Sequence, residues 1–585
     1  MSSTPHAKVP ALAPLEPDPP ATVTPARRPA APGAQRRPGQ HGRWLLAVTV
    51  LIALMVGAPV LSVATHLLSP GTAETWRHLL DTVLPDYVLT TLQLCLGVAL
   101  GSASVGVGAA WLVTRYHFPG RRHLEWALVL PLAMPAYVLA YTYTDLLQFV
   151  GPVQTALRHT FGWTRADYWF PEVRSTGGAV LMFTLALYPY VYLMARTTFL
   201  ERAAGMLEVG RSLGLGPWAS FWRVSLPMAR PAIAGGVALV LMETLADYGT
   251  VAYFSVQTFT TGIYRAWFSL GDRPAAAQLA VALLAFVAVI LTLERASRGR
   301  ARFHDTTLRR LTPLSRPLRG WRAAVLIGAC LVPLTGGFLL PGGLLLHMAL
   351  TEGDAQWGWR FVELARNSFL VAGLTALACV ALAVLIAYAA RQHRGWLLRI
   401  AQRIVGLGYA VPGSVIAVGV LIPVARLDNL LAELIQSSFG WNPGLLLTGS
   451  ITALVYACVA RFLTAAVQAV DSGLLKITPS MDDAARSMGL TPPQVLRRVH
   501  LPLLRGSLLT AALLVFIDVM KELPATLVMR PFNFDTLATQ VYTLASDERL
   551  AEASTAALAI VAVGLIPIVL LSRQIAGSRI GHGSR

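Results

Sequence analysis

Apolar stretches of about twenty residues recur along this chain from Trp44 to Leu571, separated by polar connections rich in Gly, Pro and Arg. At about 1.5 Å rise per residue, roughly 20 apolar residues cross a hydrocarbon layer of about 30 Å, so each stretch predicts a membrane-crossing helix. The pattern predicts twelve, at 44–66, 88–112, 124–148, 178–200, 231–255, 276–294, 321–346, 366–390, 402–424, 445–467, 507–529 and 554–572. Continuous runs such as Ala280 to Leu293 lack the two-residue alternation of a barrel strand. That excludes a membrane β-barrel and predicts an all-α integral membrane protein.

Composition points the same way: of 585 residues, 55% are hydrophobic and 13% charged, against about 25% charged in soluble domains. The net charge of +18 would suit a nucleic-acid partner, but most Lys and Arg fall in alternate connections, beginning with the N-terminal tail. Arg298, Arg300, Arg302, Arg309, Arg310, Arg316 and Arg319 share one central connection. The basic excess therefore reads as topology: both termini are expected in the cytoplasm, the lipid bilayer is the partner, and no nucleic acid is expected. Cys95, Cys330, Cys379 and Cys458 all lie in apolar spans and suggest packing, with neither disulfide nor metal spacing. Residues 1–43 hold ten prolines and predict a disordered cytoplasmic tail. No small-residue cleavage site clearly follows the first apolar run, which predicts a retained helix.

The chain is written twice. Residues 208–231, EVGRSLGLGPWASFWRVSLPMARP, align with 483–506, DAARSMGLTPPQVLRRVHLPLLRG, at an offset of 275. Arg211, Gly214, Pro217, Arg223, Leu226, Pro227 and Arg230 match Arg486, Gly489, Pro492, Arg498, Leu501, Pro502 and Arg505. The offset continues downstream, pairing Glu243 with Asp518 and Asp247 with Glu522; upstream, at 277, Met134-Pro135 pairs with Val411-Pro412. Two homologous halves of six helices follow, and an even number of spans makes them parallel repeats. The expected organisation is a first domain at 44–294 with its matching loop at about 201–230, an Arg-rich cytoplasmic linker at 295–320, a second domain at 321–574 with its loop at about 468–506, and a cytoplasmic tail at 575–585.

The matching loops resemble the signature loop of ATP-binding-cassette import permeases of type I: an acid and two alanines, then Gly, then an aliphatic residue and Leu-Pro. Asp483-Ala484-Ala485, Gly489, Val499 and Leu501-Pro502 fit throughout; Glu208, Gly214, Val224 and Leu226-Pro227 keep the spacing, with Val209-Gly210 in place of the alanines. That Gly weakens the first copy's helix by about 1 kcal/mol. The resemblance implies that Glu208, Arg211, Gly214, Leu226 and Pro227, with Asp483, Arg486, Gly489, Leu501 and Pro502, couple the membrane helices to ATPase subunits. Two loops imply two ATPase copies, with a periplasmic or extracellular substrate-binding protein delivering cargo at a bacterial inner membrane. The stretches Asp247-Tyr248-Gly249-Thr250-Val251 and Met520-Lys521-Glu522-Leu523-Pro524 further resemble fused two-domain ferric-iron permeases, and thiamine and polyamine permeases less well.

An ATP-hydrolysing chain needs a Gly-Lys in its phosphate loop, and the three lysines, Lys8, Lys476 and Lys521, follow Ala7, Leu475 and Met520. No catalytic residue is expected here: ATP and Mg belong to the partner, and no cofactor is assigned to this chain. A major-facilitator-type secondary transporter also has two parallel six-helix halves, and Phe118-Pro119-Gly120-Arg121-Arg122 suggests its basic loop, but the Gly and Asp expected just upstream are missing. The repeated loop decides against it.

Charges within apolar spans mark function or pairing. Glu243 and Asp247 share one helix face, as do Asp518 and Glu522, with Lys521 three residues from Asp518. One reading is a pathway of carboxylate oxygens suited to a hard cation such as ferric iron; the other is that Lys521 or a neighbouring Arg neutralises these acids. Tyr137, Tyr141 and Tyr143 could add phenolic oxygens, and no stable metal site is assigned.

Overall fold

Inside a hydrocarbon layer every backbone N–H and C=O must find a partner within the chain, and helices achieve this locally. The computed structural model describes residues 40–66, 72–212, 214–298, 316–351, 358–393 and 395–580. Residues 1–39 of the expected tail, 299–315 of the linker and 581–585 lie outside them.

The first half comprises α1 (Gln40–Thr65), α2 (Thr72–Asp81), α3 (Leu84–Arg115), α4 (Arg121–Ala127), α5 (Ala136–Leu147), α6 (Pro152–Phe161), α7 (Thr176–Ser212), α8 (Pro217–Ser220), α9 (Leu226–Ala246), α10 (Gly249–Tyr253), α11 (Phe259–Tyr264) and α12 (Arg273–Arg298). The second repeats the plan as α13 (Trp321–Leu334), α14 (Leu340–Thr351), α15 (Trp359–Gln392), α16 (Trp396–Leu407), α17 (Gly413–Phe439), α18 (Ile451–Leu474), α19 (Pro479–Ser487), α20 (Pro492–Val495), α21 (Leu501–Met520), α22 (Pro524–Met529), α23 (Leu537–Ser546) and α24 (Leu550–Ile580). Among the described residues eleven helices are long and apolar enough to cross a membrane, and twelve if one bent pair counts as a single span.

Proline places the departures from the expected spans. The 124–148 stretch is not one straight helix: it breaks at Met134-Pro135, and the pieces on either side are bent by 90°. In the second half 402–424 breaks at Val411-Pro412, and the crossing helix is α17, beginning at Gly413. A proline crowds the residue before it out of the helical region, and Met134 and Val411 accordingly have ψ of 113° and 123°. The fifth spans also stop early, at Ala246 and Met520, before short α10 and α22.

Leu-Pro inside a helix has another effect. Phe221–Ser225 and Leu496–His500 are π-helical turns at equal repeat positions, each followed by Leu-Pro, and Thr335–Leu339 precedes Leu340-Pro341 in the same way. The N–H groups of Leu226, Leu501 and Leu340 reach back to the carbonyls of Phe221, Leu496 and Thr335. Proline has no N–H and its ring presses on the carbonyl one turn back; a widened turn lets the helix continue.

The halves exchange their first helices. α1 packs on α15, α16 and α17 of the second half, whereas α13 lies on α3 and α4 of the first. Tyr456 Oη donates to Met55 O at 2.6 Å, and Tyr143 Oη donates to Gly336 O at 2.6 Å. Where α1 crosses α17, the Pro59 backbone lies so close to Gly419 that a Cβ there would collide with it. One hydrophobic core runs through both halves.

Candidate functional site

The ends of α9 and α21, where each long helix breaks, face one cavity of about 100 Å³ between the halves. Glu243, Asp247, Asp518, Lys521 and Glu522, all singled out from the sequence, line it together with Arg461, Tyr137, Tyr190 and Tyr409. Asp247 and Glu522 stand at the breaks rather than inside a continuous helix, and the geometry shows why the chain tolerates them. Asp247 Oδ1 accepts the Thr250 N–H at 2.8 Å, at the first turn of α10. Glu522 accepts the N–H groups of Ala525 and Thr526 at 2.8 and 2.9 Å, at the first turn of α22, and the Thr526 hydroxyl at 2.7 Å. A carboxylate at a helix N-terminus meets otherwise unsatisfied donors and a favourable dipole.

The acids differ in their counter-charges. Lys521 Nζ lies 3.0 Å from Asp518, and Arg461 donates to Glu522 at 3.2 Å, with the Glu522 side chain 1% exposed. Glu243 accepts from the Tyr409 hydroxyl at 2.9 Å. Among the described residues neither Glu243 nor Asp247 has an ion-pair partner. The cavity therefore carries four carboxylates against two cations. No three His, Cys, Asp or Glu side chains among the described residues gather closely enough to cage a metal ion.

Of the three tyrosines, Tyr137 reaches the cavity; Tyr141 is buried between the rings of Tyr137 and Tyr253. Tyr143 is committed to the contact with Gly336. All four cysteines are buried and unpaired.

At the opposite end of α21 lies the second matching loop. α19 runs from Pro479 to Ser487, followed by Gly489 at φ +82°; Gly214 in the first copy has φ +73°. This left-handed backbone is open to glycine and strained for other residues. Asp483 and Arg486 point outward, their side chains 76% and 58% exposed, 3.8 Å apart. Asp482 turns inward instead. It pairs with Arg391 at 2.6 Å and with His500 at 2.6 Å, while Arg391 also donates to the Leu474, Ile477 and Thr478 carbonyls. In the first copy α7 continues through 201–212, and the side chains of Glu208 and Arg211 lie outside the described residues. There Trp111 packs on Phe199 and Phe221, with ring centroids 5.6 and 5.0 Å away.

Sequence reading missed Arg461, Arg391, Asp482, His500, Tyr190 and Tyr409. The signal available for Arg461 was a lone cation within an apolar span.

Comparison with known proteins adds a family and relatives. The family described as binding-protein-dependent transport system inner membrane component matches residues 102–302 and again 354–581. An Fe(3+)-transport system permease protein, FbpB 2, of Haemophilus influenzae is 27% identical over 540 residues, covering 91% of this chain and 98% of that protein. The molybdenum transport system permease protein ModB of Escherichia coli is 29% identical over 224 residues, 37% of this chain and 95% of its own length. The sulfate transport system permease protein CysT of Escherichia coli is 26% identical over 214 residues, 37% of this chain and 73% of its own.

Proposed function

Because the chain belongs to the family of binding-protein-dependent transport inner membrane components, with the family matched twice in one polypeptide, we propose that it is the two-domain permease of a ferric-iron importer driven by ATP on two partner ATPase subunits. Three features support the cargo class. The relative that matches 91% of this chain, both halves included, is a ferric-iron permease by name, whereas the molybdenum and sulfate permeases each match 37% of it. The cavity has more carboxylates than cations, which disfavours an oxyanion such as sulfate or molybdate and favours a hard cation. The observation that carries the reading is narrower: Glu243 and Asp247 face the cavity without an ion-pair contact among the described residues, Arg461 and Lys521 being paired with Glu522 and Asp518.

Burying such charge uncompensated is costly, and an arriving cation would relieve that cost. Ferric ion handed over by the binding protein would exchange water for carboxylate oxygen at Glu243 and Asp247, while the paired Asp518 and Glu522 hold the opposite wall. The excess of Lys and Arg in alternate connections supports an orientation with both termini, the linker and both coupling loops in the cytoplasm. ATP and Mg remain on the partner, whose closing would act through the loops beside Gly214 and Gly489.

Uptake of labelled iron into cells producing Glu243→Gln tests this. Uptake is expected to fall while membrane-inserted protein stays at the wild-type level. Unchanged iron uptake, or transport of molybdate or sulfate in place of iron, would reject the cargo assignment.

A further inference from the structure

Asp482 is the point at which three separate parts of the second half meet. Arg391 comes from the last turn of α15, Asp482 from α19, and His500 from the π turn that feeds α21. Arg391 binds the Asp482 carboxylate and at the same time the carbonyls of Leu474, Ile477 and Thr478, where α18 turns into α19. His500 takes the other carboxylate oxygen, its side chain 1% exposed. Tyr388, one turn before Arg391, donates to Pro492 O at 2.5 Å and sets its ring against His500 at 5.9 Å. Near the same end, Gly473 of α18 crosses α21 so closely that a Cβ would collide with Ser507 and Leu504. α15, α18, α19 and α21 are thus joined as one block at this face, and α21 carries Asp518 at its far end, next to Lys521 and Glu522 in the cavity.

We propose that Asp482 is the positioning residue through which movement of α19 is transmitted, by way of His500, along α21 to the cavity wall. The neighbouring Asp483 and Arg486 are exposed and serve the outer, partner-facing side of the same helix. Division of this kind requires a charged joint, because a carboxylate held by a guanidinium and an imidazole resists both translation and rotation, whereas an apolar contact slides. These three residues are not repeated in the first half, where Thr114 and Ser225 stand at the positions of Arg391 and His500, and Leu207 at that of Asp482. The proposal rests on the reading of α19 as the ATPase contact.

The test uses the full transporter with its ATPase subunits in liposomes. Arg174 and Glu548 form an ion pair of 3.3 Å between the halves, in connections at the opposite membrane face from α19. Replacing both by cysteine and attaching spin labels reads their separation; the four native cysteines are buried, so the introduced pair takes the label. A non-hydrolysable ATP analogue is expected to change the separation in the otherwise wild-type protein. Asp482→Asn and His500→Gln are expected to reduce the responding fraction several-fold while the ATPase subunits still co-purify. Asp482→Glu should restore most of the response, and Ser225→Ala should leave it unchanged. A wild-type response in Asp482→Asn would overturn the proposal. So would loss of ATPase co-purification in that variant, since Asp482 would then serve docking. No nucleotide response in the labelled protein without further substitution would overturn the ATPase reading of α19, and the proposal with it; the separate outcomes tell these failures apart.

Discussion

At the cavity, Ala186 and Ala246 of the first half stand where the second half has Arg461 and Lys521. The acids are repeated and the cations are not. At the other end of the same helices, the first half packs Trp111 on Phe199 and Phe221, and the second ties Arg391, Asp482 and His500 together. Duplication supplied two equal scaffolds: equal breaks at proline, equal π turns, equal acids closing the helices that follow. Charge then diverged. The second half became electrically self-contained and mechanically tied, leaving the unpaired carboxylates on the first.

The contrast should break most severely when the second half loses a cation. Arg461→Met strands the buried Glu522 and is expected to cost about 3 kcal/mol, seen as depleted membrane protein and a lower unfolding midpoint in detergent. Glu243→Gln should show neither. Next comes the cargo side: Glu243→Gln combined with Asp247→Asn is expected to reduce iron uptake about tenfold, equivalent to about 1.4 kcal/mol, at unchanged abundance. Asp518→Asn combined with Lys521→Met, which removes a pair together, should lower uptake far less. Equal losses from both double variants would abolish the distinction between the halves.

The two glycines sharpen the mechanical side. Gly214→Leu and Gly489→Leu each place a leucine at positive φ, at about 1–2 kcal/mol of backbone strain. ATP-driven uptake should nevertheless suffer more from the second, because α19 is tied and cannot yield. The smallest effect is that of pH. Burial would raise the Asp482 pKa, but hydrogen bonds from Arg391 and His500 outweigh it and hold the carboxyl below its usual range. A depressed pKa stabilises the fold above the unfolded value and is lost as pH falls through the folded one. The difference in stability between wild type and Asp482→Asn should therefore be constant near neutrality and shrink only below about pH 4.

Much of this was legible in the sequence, for a definite reason. Residues shared by the halves, such as Gly214 with Gly489 and Asp247 with Glu522, stand out when the chain is laid against itself. Arg461, Asp482 and His500 have Ala186, Leu207 and Ser225 opposite them, so the same comparison passes over what makes the halves different. The breaks at Pro135 and Pro412 escaped because apolarity averaged over twenty residues does not register one missing N–H. Asp482 and Asp483 are adjacent acids on one short helix; only packing shows which faces inward.

The exchange of first helices also sets an order for biosynthesis. α1 leaves the ribosome roughly 300 residues before α15, its first partner in the second half, so at about 5–20 residues per second it waits on the order of 15–60 s for that surface to exist. Throughout that interval its later contact face, including Pro59 and the Met55 carbonyl, must be covered by lipid or by the insertion machinery. Completion of the second half is what releases it.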